Sequence, residues 1–184
     1  MSSQTAQMND ATNDERRDIW NIDGGIHEIP MPSPGRLWLC GKHVVGPDPE
    51  GLMHTVGADV VVCLTQRREL TDRYPDYVSW LEANRDGAAV WFPVHDLNAP
   101  SLTDARPFLD SLVRQLNAGK HLIVHCAAGI GRSGTTAVGV LVMLGTPLDD
   151  ALRHVRQHRP MAGPEVGSQL DLVRALAAES HHTG

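Results

Sequence analysis

Apolar residues along this chain follow two rhythms, and the changes between them mark out its elements. Asp59 to Leu64 and His121 to His125 are nearly unbroken apolar runs rich in β-branched residues, the pattern of strands buried on both faces. Gly35 to Gly41, after the turn carrying Pro30, Pro32 and Pro34, and Ala88 to Phe92, after Asp86-Gly87, predict two further strands. Helical spacing takes over between them. A short helix is expected after the Gly46–Pro49 turn to about Val56, and a second from Tyr74 to about Arg85. A third runs from Thr103/Asp104, with Asp104 as its cap, to about Ala118, with Phe108, Leu109, Leu112, Val113 and Leu116 on one face and Pro107 near its first turn.

Three more helices close the chain. Arg132 to about Leu144 is apolar around most of its circumference, which predicts a buried central helix. Thr146-Pro147-Leu148-Asp149 reads as a capping-box-like start with Pro147 at the first helical position and Leu148, Leu152 and Val155 facing inward. Gly163-Pro164-Glu165 opens the last helix, packed through Leu170, Leu172, Val173 and Leu176. Strands alternating with helices predict a single α/β domain: a mainly parallel central sheet of four to five strands flanked by helices, with a glycine-rich loop between its fourth strand and the buried helix. Residues 1–18 are polar without apolar period and are expected to be disordered, as is the tail 180–184; the folded domain is expected over 19–179.

Length and composition narrow the function classes. At 184 residues, 41% hydrophobic and 21% charged, the chain suits one soluble domain with a substantial core. A net charge of −6 supplies no general basic field for nucleic acid or an anionic membrane surface, so attraction for an anion must be local. Cys40, Cys63 and Cys126 are too few and too scattered for a disulfide framework or a zinc site. His154 and His158, four apart on a helix, lack a third ligand nearby and are expected to be solvated. No metal or cofactor is expected. With no signal-like N-terminus and no apolar run approaching the ~18 residues of a membrane span, the expected location is the cytoplasm, without a membrane partner.

The chemistry gathers at His121 to Gly134: an apolar run, His125, Cys126, then Ala127-Ala128-Gly129-Ile130-Gly131 and Arg132-Ser133 at the head of a helix. Small residues and glycines let backbone N–H groups converge on one anion, and the helix dipole adds positive potential there. Arg132 can grip two oxygens of a phosphate with its planar fork. Cys126 lies at the mouth of the loop, where such a field favours a thiolate nucleophile. Gaining thiolate alone is worth only roughly 2 kcal/mol, far short of what phosphate-monoester hydrolysis needs, so the larger share must come from holding the phosphoryl oxygens. Gly129 to Gly134 also fits the G-x-G-x-x-G dinucleotide fingerprint, but that reading leaves Cys126 and Arg132 unused and places the motif late in the chain. A nucleotide-triphosphate loop would need a lysine after the glycines, and none follows.

His-Cys-x-x-x-x-x-Arg-Ser over His125 to Ser133 resembles the signature of cysteine-dependent protein-tyrosine phosphatases, and the stretch from about Gly35 to Ala178 is similar to the compact dual-specificity branch, particularly the cyclin-dependent-kinase-associated phosphatases. The resemblance implies hydrolysis of phosphotyrosine, with or without phosphoserine and phosphothreonine, through a phosphocysteine on Cys126. Arg132 and the amides of Ala127 to Arg132 would hold the phosphate, and a phosphorylated protein or peptide would be the substrate. It places the general acid at Asp96, in the frame Pro93-x-x-Asp96-x-x-x-Pro100, where the competing reading is a turn cap; His95 beside it is expected to be exposed. Ser133 would stabilise the departing thiolate, cap the helix, or both. Gln169, in a Gly-Pro-x-x-x-x-Gln frame, positions water in some relatives, and a plain surface role stays equally open. Arg67 and Arg68, in a loop ending Glu69-Leu70, would meet acidic groups flanking the substrate or simply be solvated. Two other functions remain open: a phosphoprotein- or kinase-binding module with weak turnover, and a phosphoinositide phosphatase, which the lysine-free loop disfavours. Oligomeric state is not legible. Cys63, ending a strand near Cys126, raises a reversible disulfide as an alternative to a buried apolar role.

Overall fold

The computed structural model describes residues 25–165 and 167–180; the expectation for residues 1–18, the first residues 19–24 of the expected domain and 181–184 of the expected tail 180–184 lie outside them, while Ser180 ends the last helix. Five strands form one sheet: β1 (His27–Ile29), β2 (Leu37–Gly41), β3 (Val60–Cys63), β4 (Ala89–Trp91) and β5 (Leu122–Cys126), in the order β1-β2-β5-β3-β4. All neighbours are parallel except β1, which runs antiparallel to β2 along one edge. The apolar runs explain the centre: every residue of β2, β3 and β5 is buried. The periodicity does not anticipate β1, because three residues, His27-Glu28-Ile29, are too short to show an alternation.

Seven helices among the described residues cover the two faces: α1 (Lys42–Val45), α2 (Pro49–Val56), α3 (Pro75–Ala83), α4 (Leu102–Asn117), α5 (Gly131–Met143), α6 (Leu148–His158) and α7 (Ser168–Ser180). One core packs Leu109, Leu112, Val138, Leu141, Val155 and Val173 against Leu39, Val62 and Val124. The other packs Val45, Tyr77, Val78 and Leu81 against Trp38, Val61 and Ile123. Helix α5 is buried from Arg132 to Val142, as its apolar circumference predicts. Among the described residues no helix is long and apolar enough to cross a membrane.

Three helix starts differ from expectation, each for a local reason. Ser101, not Thr103 or Asp104, caps α4: its Oγ accepts the Asp104 N–H at 3.2 Å and donates to Asp104 Oδ2 at 2.6 Å, so Asp104 completes the cap from inside the first turn. Pro147 is the N-cap of α6, not its first residue, and no side chain caps it. Helix α7 begins at Ser168, because Gly163 to Glu165 is loop packed against the glycine-rich segment.

Candidate active site

Strand β5 and helix α5 carry the two ends of the glycine-rich loop, so every side chain in it is referred to the centre of the sheet. Cys126 ends β5, buried to 3% exposure, with its Sγ 3.3 Å from Ser133 Oγ. Between them the backbone turns all its carbonyls outward. Ala127 O accepts from the Lys42 N–H (3.1 Å), Ala128 O and Gly129 O accept from the Arg159 side chain (3.0 and 2.6 Å), and Ile130 O accepts from the Gly134 and Gly163 N–H groups (2.9 and 3.3 Å). His125 Nδ1 lies 3.3 Å from Cys126 O. In a trans peptide the N–H points opposite to the C=O, and no peptide here is cis. The N–H groups of Ala127, Ala128, Gly129, Ile130 and Gly131 therefore face away from those partners, into the loop's concave side. Gly129 is obligatory in this path: its φ is +74°, and a Cβ would lie 2.4 Å from the Cys40 carbonyl carbon.

Arg132 is 3% exposed and fixed from one side. Its Nη1 and Nη2 donate to Glu69 Oε1 and Oε2 at 2.8 and 2.9 Å, Nη1 also reaches Val94 O at 2.9 Å, and Nη2 lies 3.2 Å from Asp96 Oδ1. Burial weighs against the guanidinium charge, but Glu69, Cys126 and Asp96 outweigh it and hold the Arg132 pKa above its ordinary value. For Glu69, burial pushes upward and the hydrogen bonds from Arg132 and the Gln66 N–H prevail, leaving its pKa below the ordinary value. Among the described residues, Arg132 Nε is a buried side-chain nitrogen with no hydrogen-bond partner. An unmatched N–H on a buried cation costs more than on an exposed one, and a phosphate oxygen would satisfy it.

His125 is fully buried, and burial lowers its pKa from 6.5 to about 4, so its imidazole is neutral near pH 7. With Nδ1 assigned as the donor to Cys126 O, Nε2 accepts from Tyr77 OH at 2.6 Å. The ring thereby ties the Cys126 backbone to helix α3 on the far face.

Asp96 lies on a tight turn: Leu97 has a left-handed φ of +60°, and the Asn98 side chain donates to Asp96 O at 3.1 Å. His95 is exposed, with its Nε2 3.3 Å from Gln66 Nε2. Gln169 is not a surface residue. At 1% exposure, its Oε1 accepts the Glu165 N–H (3.0 Å) beside the Thr135 hydroxyl (3.1 Å), and its Nε2 donates to Asn98 O (3.3 Å), joining α7 to the Asp96 turn. The two arginines part company. Arg67 pairs with Glu82 and lies over the Trp91 ring, whereas Arg68 Nη2 donates to Gln66 Oε1 at 2.9 Å, towards the His95–Asp96 turn.

Cys63 is in register with His125 and belongs, with Cys40, to the core on the face opposite Cys126. Its Sγ lies 3.1 Å from Thr65 Oγ1, and burial pushes its pKa up to about 11, which fits the buried apolar role. His154 Nε2 lies 2.7 Å from Pro30 O and His158 Nδ1 2.9 Å from His154 O, so both rings bind backbone. Among the described residues no group of three or more potential ligands could hold a metal ion.

Glu69, Tyr77 and Arg159 escape the sequence reading, because each comes from a separate element and only the fold brings it to the loop. Glu165 escapes it too: a Cβ on Gly131 would lie 3.1 Å from its Oε2, beside Gln169. The one signal in the sequence is Glu69-Leu70, the end of the loop that carries Arg67 and Arg68.

The family model described as "PTP-SAK: Swiss Army Knife protein, DSP-PTPase phosphatase domain" matches residues 33–184. The chain is 34% identical over 92 residues to dual specificity protein phosphatase 8 of Mus musculus, an overlap of 42% of this chain and 14% of that protein. This chain thus corresponds to a small part of that relative's length. Among solved structures it is similar to Tk-PTP in the active form, with TM-score 0.64 and 24% identity over 82% of this chain and 96% of that one. It is also similar to kinase associated phosphatase, with TM-score 0.66 and 20% identity over 79% and 88%. At these identities the two structures support the fold.

Proposed function

The chain belongs to the DSP-PTPase family of dual-specificity-type phosphatases, and from that premise we propose that it hydrolyses phosphotyrosine on a protein or peptide, with phosphoserine and phosphothreonine as further substrates, through a phosphocysteine intermediate. In the first step the Cys126 thiolate attacks phosphorus, the ester P–O bond breaks, and Asp96 gives its proton to the leaving oxygen. Arg132, through Nε, and the backbone amides of Ala127 to Arg132 take the three equatorial oxygens, where charge accumulates. In the second step water gives a proton to Asp96 and attacks phosphorus, and the S–P bond breaks with Ser133 Oγ hydrogen-bonded to the departing sulfur. Gln169, held between Thr135 and the Asp96 turn, is the residue proposed to orient that water. Arg68, not Arg67, is the arginine proposed to meet an acidic group flanking the phosphoresidue, since Arg67 is engaged by Glu82 and Trp91. Action on a cytoplasmic phosphoprotein belongs to the same reading.

The observation that carries it is the loop itself: its carbonyls are all bound from outside, so its amides and the unmatched Arg132 Nε are left for one tetrahedral anion beside Cys126. The test is phosphate release from p-nitrophenyl phosphate, with chelator and reductant present, by the native chain and Cys126→Ser. Turnover is expected without metal and is expected to vanish in the variant. Turnover that survives in Cys126→Ser would sink the mechanism. A folded, reduced native chain that binds phosphopeptide without hydrolysing it would favour a binding module.

A further inference from the structure

Arg159 closes helix α6, and nothing in the proposed chemistry uses it. It is 2% exposed, and among the described residues its hydrogen-bond partners are three backbone carbonyls and an imidazole: Nε donates to Gly129 O at 2.6 Å, Nη2 to Ala128 O at 3.0 Å, Nη1 to Gly25 O at 3.1 Å, and Nη1 also meets His27 Nδ1. A buried guanidinium is ordinarily matched by a carboxylate, because removing its charge from water is expensive. Carbonyl dipoles alone compensate it only in part. It stands directly behind the ring of amides that faces Cys126.

We infer that Arg159 is a positioning residue of the phosphate loop, which clamps the Ala128 and Gly129 carbonyls outward so that the next two N–H groups stay aimed at the bound phosphoryl oxygens, and whose buried charge finds its counter-ion in the anion on the other side of the loop. The argument is geometric first. Two of the loop's four carbonyls between Ala127 and Ile130 have this single side chain as partner, and both precede a residue whose N–H belongs to the anion cradle. Without the clamp, either peptide plane can flip, exchanging an inward N–H for an inward C=O that repels phosphate. Gly129, with φ +74° and no Cβ, offers little resistance to such a flip. The electrostatics agree: burial lowers the Arg159 pKa, the sign of a guanidinium whose charge is costly to hold away from water.

This inference rests on the phosphatase reading, and the experiment separates the two. Binding of the phosphate analogue tungstate is measured by calorimetry at 15 °C for the native chain, Arg159→Lys and Arg159→Gln, alongside thermal melting, kcat and the rate of Cys126 alkylation by iodoacetate. Arg153→Ala, which removes a surface guanidinium from the same helix, is the control. Arg159→Lys keeps the charge but cannot span two carbonyls; Arg159→Gln loses the charge as well. Expected are a fall in tungstate affinity and in kcat of at least about tenfold in the lysine variant and a larger one in the glutamine variant, with slower alkylation in both, by analogy with the ~10²–10³ lost with one oxyanion donor. Lower melting temperatures with native tungstate affinity and alkylation rate in the folded protein would make Arg159 merely structural and overturn the inference. If neither variant folds, the 15N-labelled native chain decides: the Arg159 Nε–H resonance shifts on tungstate saturation if the clamp faces the anion, and an unmoved resonance overturns it. A native chain that binds no tungstate and turns over no substrate would instead defeat the phosphatase reading.

Discussion

A single side chain, His125, shows how one position serves folding and chemistry together. Its imidazole is neutral because burial lowers its pKa from 6.5 to about 4, and in that form it links Tyr77 OH to the Cys126 backbone. Between those two values the unfolded chain binds more protons than the folded one, so stability rises with pH across the window. The contribution is full above pH 6.5 and is lost as pH falls towards 4, an amount of about 3 kcal/mol at most. Urea midpoints measured at pH 6.5 and pH 4.5 should therefore differ strongly in the native chain and much less in His125→Asn. Equal slopes in the two proteins would show that the imidazole is not held neutral. Glu69 does not confuse the test, because its pKa is already below 4.5, and its loss of stability comes at lower pH still. Why the sequence revealed some of these residues and hid others is a matter of distance along the chain. His125, Cys126, Arg132 and Ser133 occupy one contiguous stretch at fixed spacing, whereas Glu69 and Arg159 are 63 and 30 or 31 positions away from the atoms they hold. No local pattern marks a lone Glu or Arg as belonging to a loop that distant.

At the scale of elements, the loop between β5 and α5 depends on backbone that only glycine allows, and two glycines separate strain from contact. Gly129 and Gly119 both have left-handed backbone, φ +74° and +82°. A Cβ at Gly119 would meet nothing within 4 Å, whereas at Gly129 it would lie 2.4 Å from the Cys40 carbonyl and 2.8 Å from Arg159 Nη2. Gly119→Ala should cost the backbone strain alone, about 1–2 kcal/mol of stability, with kcat per folded molecule unchanged. Gly129→Ala carries the same strain and must also push the loop off β2, so kcat should fall by at least about tenfold, since small displacements of reacting groups are costly. Comparable kcat losses in both would mean that strain, not contact, governs the loop. The apolar runs made the central strands and α5 legible, because burial on both faces leaves a compositional trace. The edge strand β1 and the true starts of α4 and α7 left none, being settled by three residues of pairing, by the Ser101 hydroxyl, and by packing of Gly163 on Ile130 O.

For the molecule as a whole, the sheet divides two apolar cores, and the site sits on their common wall. β5 is central, with Val124 and Cys126 facing one core and Ile123 the other, and His125 reaching Tyr77 on that second side. Both cores are built on the same three strands, β2, β3 and β5, so the two should melt together. Leu81, fully buried in the far core, contacts none of the proposed catalytic side chains through any hydrogen bond. Leu81→Ala should cost roughly 2–5 kcal/mol and lower the melting temperature by roughly 5–15 °C. Its transition should stay single, and turnover per folded molecule at 15 °C should stay native, because a cavity there weakens the wall without moving the loop. A two-step melt would show that the far core unfolds independently and that the sheet does not couple the faces. Loss of turnover in a fully folded variant would instead mean that the Tyr77–His125 link carries displacement from α3 into the site, and that the far core helps to set the position of Cys126.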